Sequence, residues 1–570
     1  MTDKIKKILH SKPFRHVCLI AFFAVLFMIR FSWFDLHYTH YDDIKVAQFT
    51  DFTADLFKWK FEALRWNDPF LQKLYNLTLI LLEKPYNWVT YALNFSKYWT
   101  YAPGQFVITF ALLPLAYDYT SIKFFGRLPS LIFGCIALIF CWKAAVHSTG
   151  SKKAALCATA VLGLSWQSIL YCMHMSNYES IILIGFIVAF YLSRNADWEK
   201  KRFWLLGCVL LGIFAWFHYQ AVCYLAGFLM VYFVWGLGEK KKISRIIVNV
   251  VILGTVAAVL VAPLLGFANL YGVPTWNVGI DGEYLFTPIL SPTYLLRFFV
   301  INSWKVFKAM LSPVPLDRDL SNVITIAYLL LFLYGTIRSL RQKEKNKLFY
   351  LTIFSMGVIL AEYGMVVLGK FTLSPTRHSN VLIPVFVTQI LFGVYFLMKD
   401  LDSPFLEKGF AGIFAVSLLV SWNSGVDAVK AERIDPYTQE AIFSLIGDNN
   451  PDLIVDRSAG QMWYLGPQGQ YQHREIIDYQ TDVFDINYDA ADNQTILIVS
   501  GDSDLNDEMV QQIAFQLLEK QYLSPEQFEK FTQSASFKEG CEMHHVDFDF
   551  YSVSAINGNS LVYRLYSLGG

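Results

Sequence analysis

Asp42 and Asp43 stand side by side a few residues beyond the first long apolar run, ahead of an aromatic-rich stretch. A carboxylate held at a membrane surface can take the proton from an attacking hydroxyl, as a general base. Two adjacent carboxylates do not usually serve one substrate atom, so one of the pair works and the other stands by it. The same pair would also cap a helix starting near Ile44, since Asp is favoured at helix N-termini. Cations suited to phosphate stand elsewhere: Arg377 at the mouth of a late apolar run and Arg127 near the start of an early one. Each is also read as an anchor for its run, and Arg377 as an ion-pair partner of Glu362. His218 in WFHYQAV, and His174 in YCMHMSNYE with Glu179 close by, fall in short turns between apolar runs. A histidine at such a place either touches substrate or is a hydrogen-bonded interfacial residue.

The elements that must position these residues are set by composition. The 570 residues are 55% hydrophobic and 17% aromatic, and only 16% are charged. Soluble domains average about 25% charged residues, so this chain belongs with polytopic membrane proteins. A net charge of zero hides two halves of opposite sign. From residue 431 onward 23 acidic residues meet 7 basic ones, and the preceding part carries the compensating positive charge.

A span needs about 17–25 apolar residues in a helix, which alone satisfies its own backbone in hydrocarbon. Such runs cover residues 17–34, 124–146, 154–171, 179–193, 203–217, 220–237, 246–268, 321–337, 348–368, 379–398 and 409–423, about eleven in all. Alternate connections are basic, beginning with Lys4, Lys6, Lys7, Lys12 and Arg15, which sets the N-terminus in the cytoplasm of a cell inner (plasma) membrane. An odd number of spans then puts the acidic tail and the Asp pair on the extracytoplasmic side. The first span reads as uncleaved, because no small-residue cleavage site follows it.

Residues 103–117, PGQFVITFALLPLAY, are apolar but short and interrupted by Pro114. Counting them as a span would invert the charge bias of every later loop, so they read as a helix lying in or dipping into the outer leaflet. One outer loop then runs over 36–123. Within it Phe49, Phe52, Leu56, Phe57, Phe61 and Leu64 recur at helical spacing as an interfacial helix, with a second over 69–82. A second long outer loop, 271–322, is rich in Pro and aromatics, as binding elements often are.

The membrane part is expected over 1–425 and an appended domain over 426–570. In that domain PDLIVD and TILIVSG read as buried strands and 436–446 and 505–518 as helices, an α/β pattern. Seven of the eight cysteines lie in or beside spans, and only Cys541 is in the tail, so no disulfide holds that domain.

Four local patterns together resemble the GT-C glycosyltransferases, in particular the branch of protein O-mannosyltransferases and the transferase that adds aminoarabinose to lipid A. Asp42, Asp43 and Ala47 are similar to the family's D-E-x-x-x-A, with Asp in place of Glu. Tyr101, Ala102, Pro103 and Gly104 loosely match its His/Lys-Pro-Pro-Leu element. Arg127, Pro129, Ser130 and Gly134 match R-x-P-S with a glycine four residues on, and Arg377, His378 and Pro384 resemble R-Y-x-x-x-x-x-P. The resemblance covers roughly residues 15–425.

It implies a polytopic α-helical GT-C fold and transfer of a sugar from a polyprenyl-phosphate donor to an acceptor hydroxyl on protein, glycolipid or envelope glycan. Asp42 falls on the family's base, with Asp43 as its understudy. Arg377 and Arg127 would bind the donor phosphate, and His218, His174, Glu179 and His378 would touch donor or acceptor. Tyr101 stands where the family often has His or Lys, and Lys97, four residues earlier, would supply the missing cation. No cofactor is required; a divalent cation (Mg or Mn) would suit Asp42 and Asp43 with Asp317 or Asp319. Membrane lipids are the other partners, and nucleic acid is not one. The rival readings are a flippase or transporter of lipid-linked sugars, and a polymerase or ligase of lipid-linked glycans. A transporter tends to show paired halves and midplane charges, whereas this chain shows no mirrored half and few charges in its spans, Arg30 and Glu362 among them.

Overall fold

The computed structural model describes residues 12–32, 89, 92–93, 102–115, 119–194, 197–270, 286, 291–312, 318–342, 346–401, 452–457, 473–478, 481–485, 495–500, 507–533, 542–544 and 561–567. They belong to two compact units, one helical and one built on a sheet.

The helical unit starts with α1 (Lys12–Ser32), α2 (Gly104–Leu112), α3 (Tyr119–Thr149), α4 (Lys152–Leu164) and α5 (Trp166–Tyr171). It continues with α6 (Tyr178–Leu192), α7 (Lys201–Phe214), α8 (Ala221–Gly238), α9 (Ile243–Leu270), α10 (Pro292–Leu296) and α11 (Asn302–Leu311). The last three are α12 (Arg318–Leu340), α13 (Lys347–Val367) and α14 (Ile383–Leu401). Ten of the expected spans fall on these helices, and the run at 409–423 lies outside the described residues. Among the described residues six helices are long and apolar enough to cross a membrane, and α1 and α6 contain shorter apolar stretches. The protein is a polytopic helical membrane protein.

Local chemistry sets the helix ends. Ser151 caps α4 by accepting from the Ala154 N–H at 3.2 Å, and Asn346 caps α13 by accepting from Leu348 and Phe349. Lateral packing depends on small residues, because lipid tails are as apolar as the helices they surround. At the crossing of α12 and α14 a Cβ on Gly335 would strike the backbone of Gln389 and Gly393. At the crossing of α8 and α13 a Cβ on Gly357 would lie 2.8 Å from the Gly227 Cα. Two pairs of spans thus meet backbone to backbone. α14 sits innermost, whereas α9 and α12 are the least buried and leave Val259 and Leu330 exposed.

One expectation is corrected. The run 154–171 is not one helix: it breaks at Ser165, whose extended backbone ends α4 and starts α5. The Ser165 hydroxyl donates to the Met310 carbonyl at 2.7 Å, and the Trp166 N–H donates to the Ser312 carbonyl, so the break is a clip for the end of α11. In the connection 271–322, α10, a π-helical turn (Arg297–Ile301) and α11 lie in the second half. Its Phe298, Val306, Phe307 and Met310 are buried, which gives α11 a side to pack on. The R-x-P-S pattern stands near the start of its span: α3 begins at Tyr119, its membrane-length apolar stretch begins at Phe124, and Pro129 lies inside the helix, where the ring costs a backbone hydrogen bond. The interfacial helices expected over 49–64 and 69–82 lie outside the described residues.

The second unit holds a six-stranded sheet in the order β2-β3-β1-β4-β6-β5, with β1 (Leu453–Arg457), β2 (His473–Asp478), β3 (Thr481–Asp485), β4 (Thr495–Ser500), β5 (Glu542–His544) and β6 (Leu561–Ser567). PDLIVD and TILIVSG form β1 and β4, the one parallel pair, and the other pairs are antiparallel. α15 (Asp507–Glu519) covers the sheet with Val510, Ile513, Ala514 and Leu517, followed by α16 (Pro525–Gln533). The helix expected over 436–446 lies outside the described residues.

Candidate functional site

One end of the helical bundle gathers the turns in which sequence reasoning placed its histidines. Residues 172–177 join α5 to α6, residues 215–220 join α7 to α8, and residues 368–382 join α13 to α14. The turns are tied to each other and to the starts of two helices. Asn177 Nδ2 donates to the Phe217 carbonyl at 3.0 Å, and the Gly104 N–H donates to the Trp216 carbonyl at 2.6 Å. A Cβ on Gly104 would lie 2.7 Å from that carbonyl oxygen, so glycine lets α2 approach this closely. Ser130 of α3 donates to the Ser176 carbonyl at 2.9 Å, and Gln105 Nε2 donates to both the Ser130 hydroxyl and the Ser176 carbonyl. α2 itself has nine residues, about 14 Å of helix, too short to cross a bilayer.

At the centre of these turns is Tyr178, the first residue of α6 and itself buried. The Arg377 guanidinium lies over its ring, 5.2 Å from the centroid. His218 meets the same ring edge to face at 5.9 Å, and His378 does so at 6.4 Å. Tyr171 adds a tilted ring at 5.3 Å and in turn holds His174 edge to face at 5.1 Å. His174 and His218 are buried, whereas Arg377 and His378 are partly exposed. The cluster is therefore a buried aromatic and imidazole box with a cationic mouth.

The mouth is held from below. Gln220 Nε2 donates to the His378 carbonyl and, at 3.3 Å, to Glu362 Oε1, while Cys223 donates to Glu362 Oε2 at 3.4 Å. Glu362 thus anchors the backbone of the Arg377 segment through Gln220. Ser379 donates to the Ser374 carbonyl at 2.7 Å, and the 3-10 turn Arg377–Leu382 leads into α14, with Pro384 in its first turn, where the missing N–H costs nothing. His218 Nδ1 accepts from the Gln220 N–H at 3.3 Å, which assigns the proton of the neutral ring to Nε2. Burial pushes its pKa down to about 3, so it stays neutral at physiological pH.

A second buried group lies beside this one. Glu179, fully buried, faces Arg30 of α1, which is equally buried. Arg30 Nη1 donates to the Gly163 carbonyl at 3.1 Å and Nη2 donates to the Ser168 hydroxyl at 2.8 Å. Gly134 makes room for the pair: a Cβ there would collide with Cys172 Sγ and lie 3.0 Å from Glu179 Oε2 and 3.5 Å from Arg30 Nε. Arg127 is also fully buried, next to Gly126, where a Cβ would meet Met175 of the 172–177 turn.

The structure therefore brings Arg377, His378, His218 and His174 together, sets Glu179 against Arg30 and buries Arg127. Asp42, Asp43, Lys97, Tyr101 and Asp317 lie outside the described residues, as does the side chain of Asp319. Among the described residues no group of three His, Cys, Asp or Glu side chains could hold a metal ion. Sequence reasoning missed Tyr178 and Gln220. A tyrosine at the end of an apolar run reads as an interfacial anchor, and only the two polar residues before it, Ser176 and Asn177, hinted at a built turn.

No protein-family model matches the chain, and no curated protein matches it. Solved structures with some likeness include the Archaeoglobus fulgidus oligosaccharyltransferase in complex with Zn and sulfate, at a TM-score of 0.35 and 11% identity over 63% of this chain. The chain spans about half of that protein, 53% of its length. ArnT from Cupriavidus metallidurans bound to undecaprenyl phosphate matches at a TM-score of 0.43 and 12% identity, over 97% of this chain and 99% of that one. The same ArnT in the apo state matches at 0.31 and 13%, over 82% and 98%. At these scores the likeness assigns no activity.

Proposed function

We propose that this protein is a membrane glycosyltransferase that takes a sugar from a polyprenyl-phosphate donor and passes it to an acceptor hydroxyl at the extracytoplasmic face. The observation that carries the reading is Arg377 over Tyr178, a partly exposed cation at the mouth of an otherwise buried polar box. A polyprenyl chain stays in hydrocarbon, so the site for its phosphate belongs at the end of a helical bundle, where Arg377 stands. A guanidinium offers paired donors in a fixed fork that fits phosphate oxygens, and its positive charge offsets the charge that develops as the phosphate leaves.

The reaction is a single displacement at the anomeric carbon. The acceptor oxygen forms the new glycosidic bond, the bond from that carbon to the phosphate oxygen breaks, and polyprenyl phosphate departs with the electron pair. The acceptor proton goes to Asp42, the base implied by the D-E-x-x-x-A resemblance, with Asp43 beside it. Neutral His218, with its proton on Nε2, serves as a hydrogen-bond donor rather than a second cation. Glu179 and Arg30 hold the start of α6, and with it Tyr178, rather than touching substrate.

The test is release of polyprenyl phosphate from a panel of polyprenyl-phosphate sugars by the purified full chain. Transfer by wild type and its loss in Arg377→Ala, with partial recovery in Arg377→Lys, support the reading. An Arg377→Ala protein that turns over donor at the wild-type rate sinks it.

A further inference from the structure

We infer that the end of the bundle opposite the Tyr178 box carries a binding site for an anionic diacyl phospholipid. α7 runs from Lys201, at that end, to the turn of His218, so the two places are a helix length apart, about 20 Å. There a cavity of about 480 Å³ opens between α7, α8 and α9.

Its lining carries four cations, Lys201, Arg202, Lys241 and Arg245, against the single carboxylate of Glu199. Among the described residues none of the four has a carboxylate within ion-pair distance. The nearby Asp197, whose charge Arg202 feels, is already bonded to Lys200 at 2.6 Å and Arg194 at 3.4 Å. The placement of the cations is unfavourable within the chain itself. Lys201 and Arg202 occupy the first turn of α7 and Arg245 that of α9, neither of which has an acidic residue in its first turn. Positive charge at the positive end of a helix dipole is destabilising, and an anion placed between the two helix starts relieves both.

Two further features select a lipid rather than a free anion. One wall is aromatic: the Lys241 ammonium lies 3.5 Å from the ring centroid of Trp235, which stacks on Trp204 at 5.5 Å. Both rings are buried in the protein behind the Lys241 ammonium. The other wall continues past the cations to Leu205, 45% exposed, and Ile252, 53% exposed, on the outer surface of α7 and α9. The cavity thus runs from a cationic head into an aliphatic, lipid-facing groove, the sequence of surfaces that a phosphate, a glycerol and two acyl chains present. Basic residues next to a span contribute about 1 kcal/mol each toward an anionic head group.

The full chain in neutral detergent is titrated with mixed micelles of phosphatidylglycerol, of phosphatidylcholine, or with inorganic phosphate, following melting temperature and lipid retained through gel filtration. Phosphatidylglycerol is expected to raise the melting temperature and co-elute, whereas phosphatidylcholine and inorganic phosphate do neither. Arg202→Gln with Arg245→Gln is expected to weaken retention about thirtyfold. Arg202→Lys with Arg245→Lys retains it, and Lys152→Gln with Lys153→Gln, at a different basic turn, leaves it unchanged. Lys241→Gln, which alters no helix start, gives a second reading with a loss of severalfold. Equal effects of phosphatidylcholine, stabilisation by inorganic phosphate alone, equal loss in the Lys152 and Lys153 variant, or undiminished retention in the Gln variants overturns the proposal.

Discussion

Arg377 and Tyr178 lie 5.2 Å apart, guanidinium over ring, though 198 positions of chain separate them. A cation on an aromatic face gains about 0.5–2 kcal/mol, more as water is excluded. The ring therefore fixes where the guanidinium waits, while Gln220 fixes the backbone of the adjacent His378.

Removing the ring tests whether position matters. Tyr178→Phe keeps the face and is expected to transfer sugar within about threefold of wild type, whereas Tyr178→Ala loses about tenfold or more. Initial rates at varied donor concentration read the outcome, with the loss expected mainly in donor KM.

The buried pair of Arg30 and Glu179 gives a stability prediction. Taking away one partner strands the other in the bundle, so Glu179→Met and Arg30→Met each cost about 3–5 kcal/mol. The double variant Arg30→Met with Glu179→Met strands no charge and is expected to recover much of that loss. Thermal unfolding of all four proteins in one detergent closes the cycle.

Gly134 is predicted to be intolerant for a specific reason. Gly134→Ala drives a Cβ into Cys172 Sγ and toward Glu179, so it lowers the melting temperature, and adding Cys172→Ala restores part of the loss. Equal destabilisation with and without the second change would show that the contact is not the cause.

His218 links stability to pH. Its folded pKa is depressed to about 3 by burial, below the roughly 6.5 of an unfolded histidine. Below pH ~6.5 the unfolded chain takes up a proton that the folded chain refuses, so unfolding becomes easier by up to about 1.4 kcal/mol per pH unit down to pH ~3. Above pH 6.5 this contribution is fully present and constant. His218→Gln, compared with wild type across pH 4–8, is expected to show a shallower loss of melting temperature on the acid side.

The Asp pair is tested by activity. Asp42→Asn is expected to lower transfer by about 10²–10⁴-fold with donor binding kept, and Asp43→Asn to have the smaller effect. Reversal of the two effects moves the base by one residue; full activity in both removes it.

Much of the membrane part was legible as a linear pattern. Ten apolar runs fell on described helices because burying a backbone in hydrocarbon demands about twenty residues of helix, a local requirement. The break at Ser165 was not legible, because the carbonyl that takes the Trp166 N–H in place of a helix partner belongs to Ser312, in another segment.

Sequence alone determined that the chain is a polytopic helical membrane protein, that β1 and β4 are buried strands, and that His174 and His218 fall in turns between apolar runs. Only the tertiary structure decided which turns meet. It put Arg377 on Tyr178, Glu362 under Gln220, and Arg30 against Glu179 through the gap left by Gly134. The reason is physical: hydropathy tells a helix to enter the bilayer, but every lipid-facing side looks alike to it. Neighbours are chosen by close contact between small residues and by buried polar groups finding partners far along the chain.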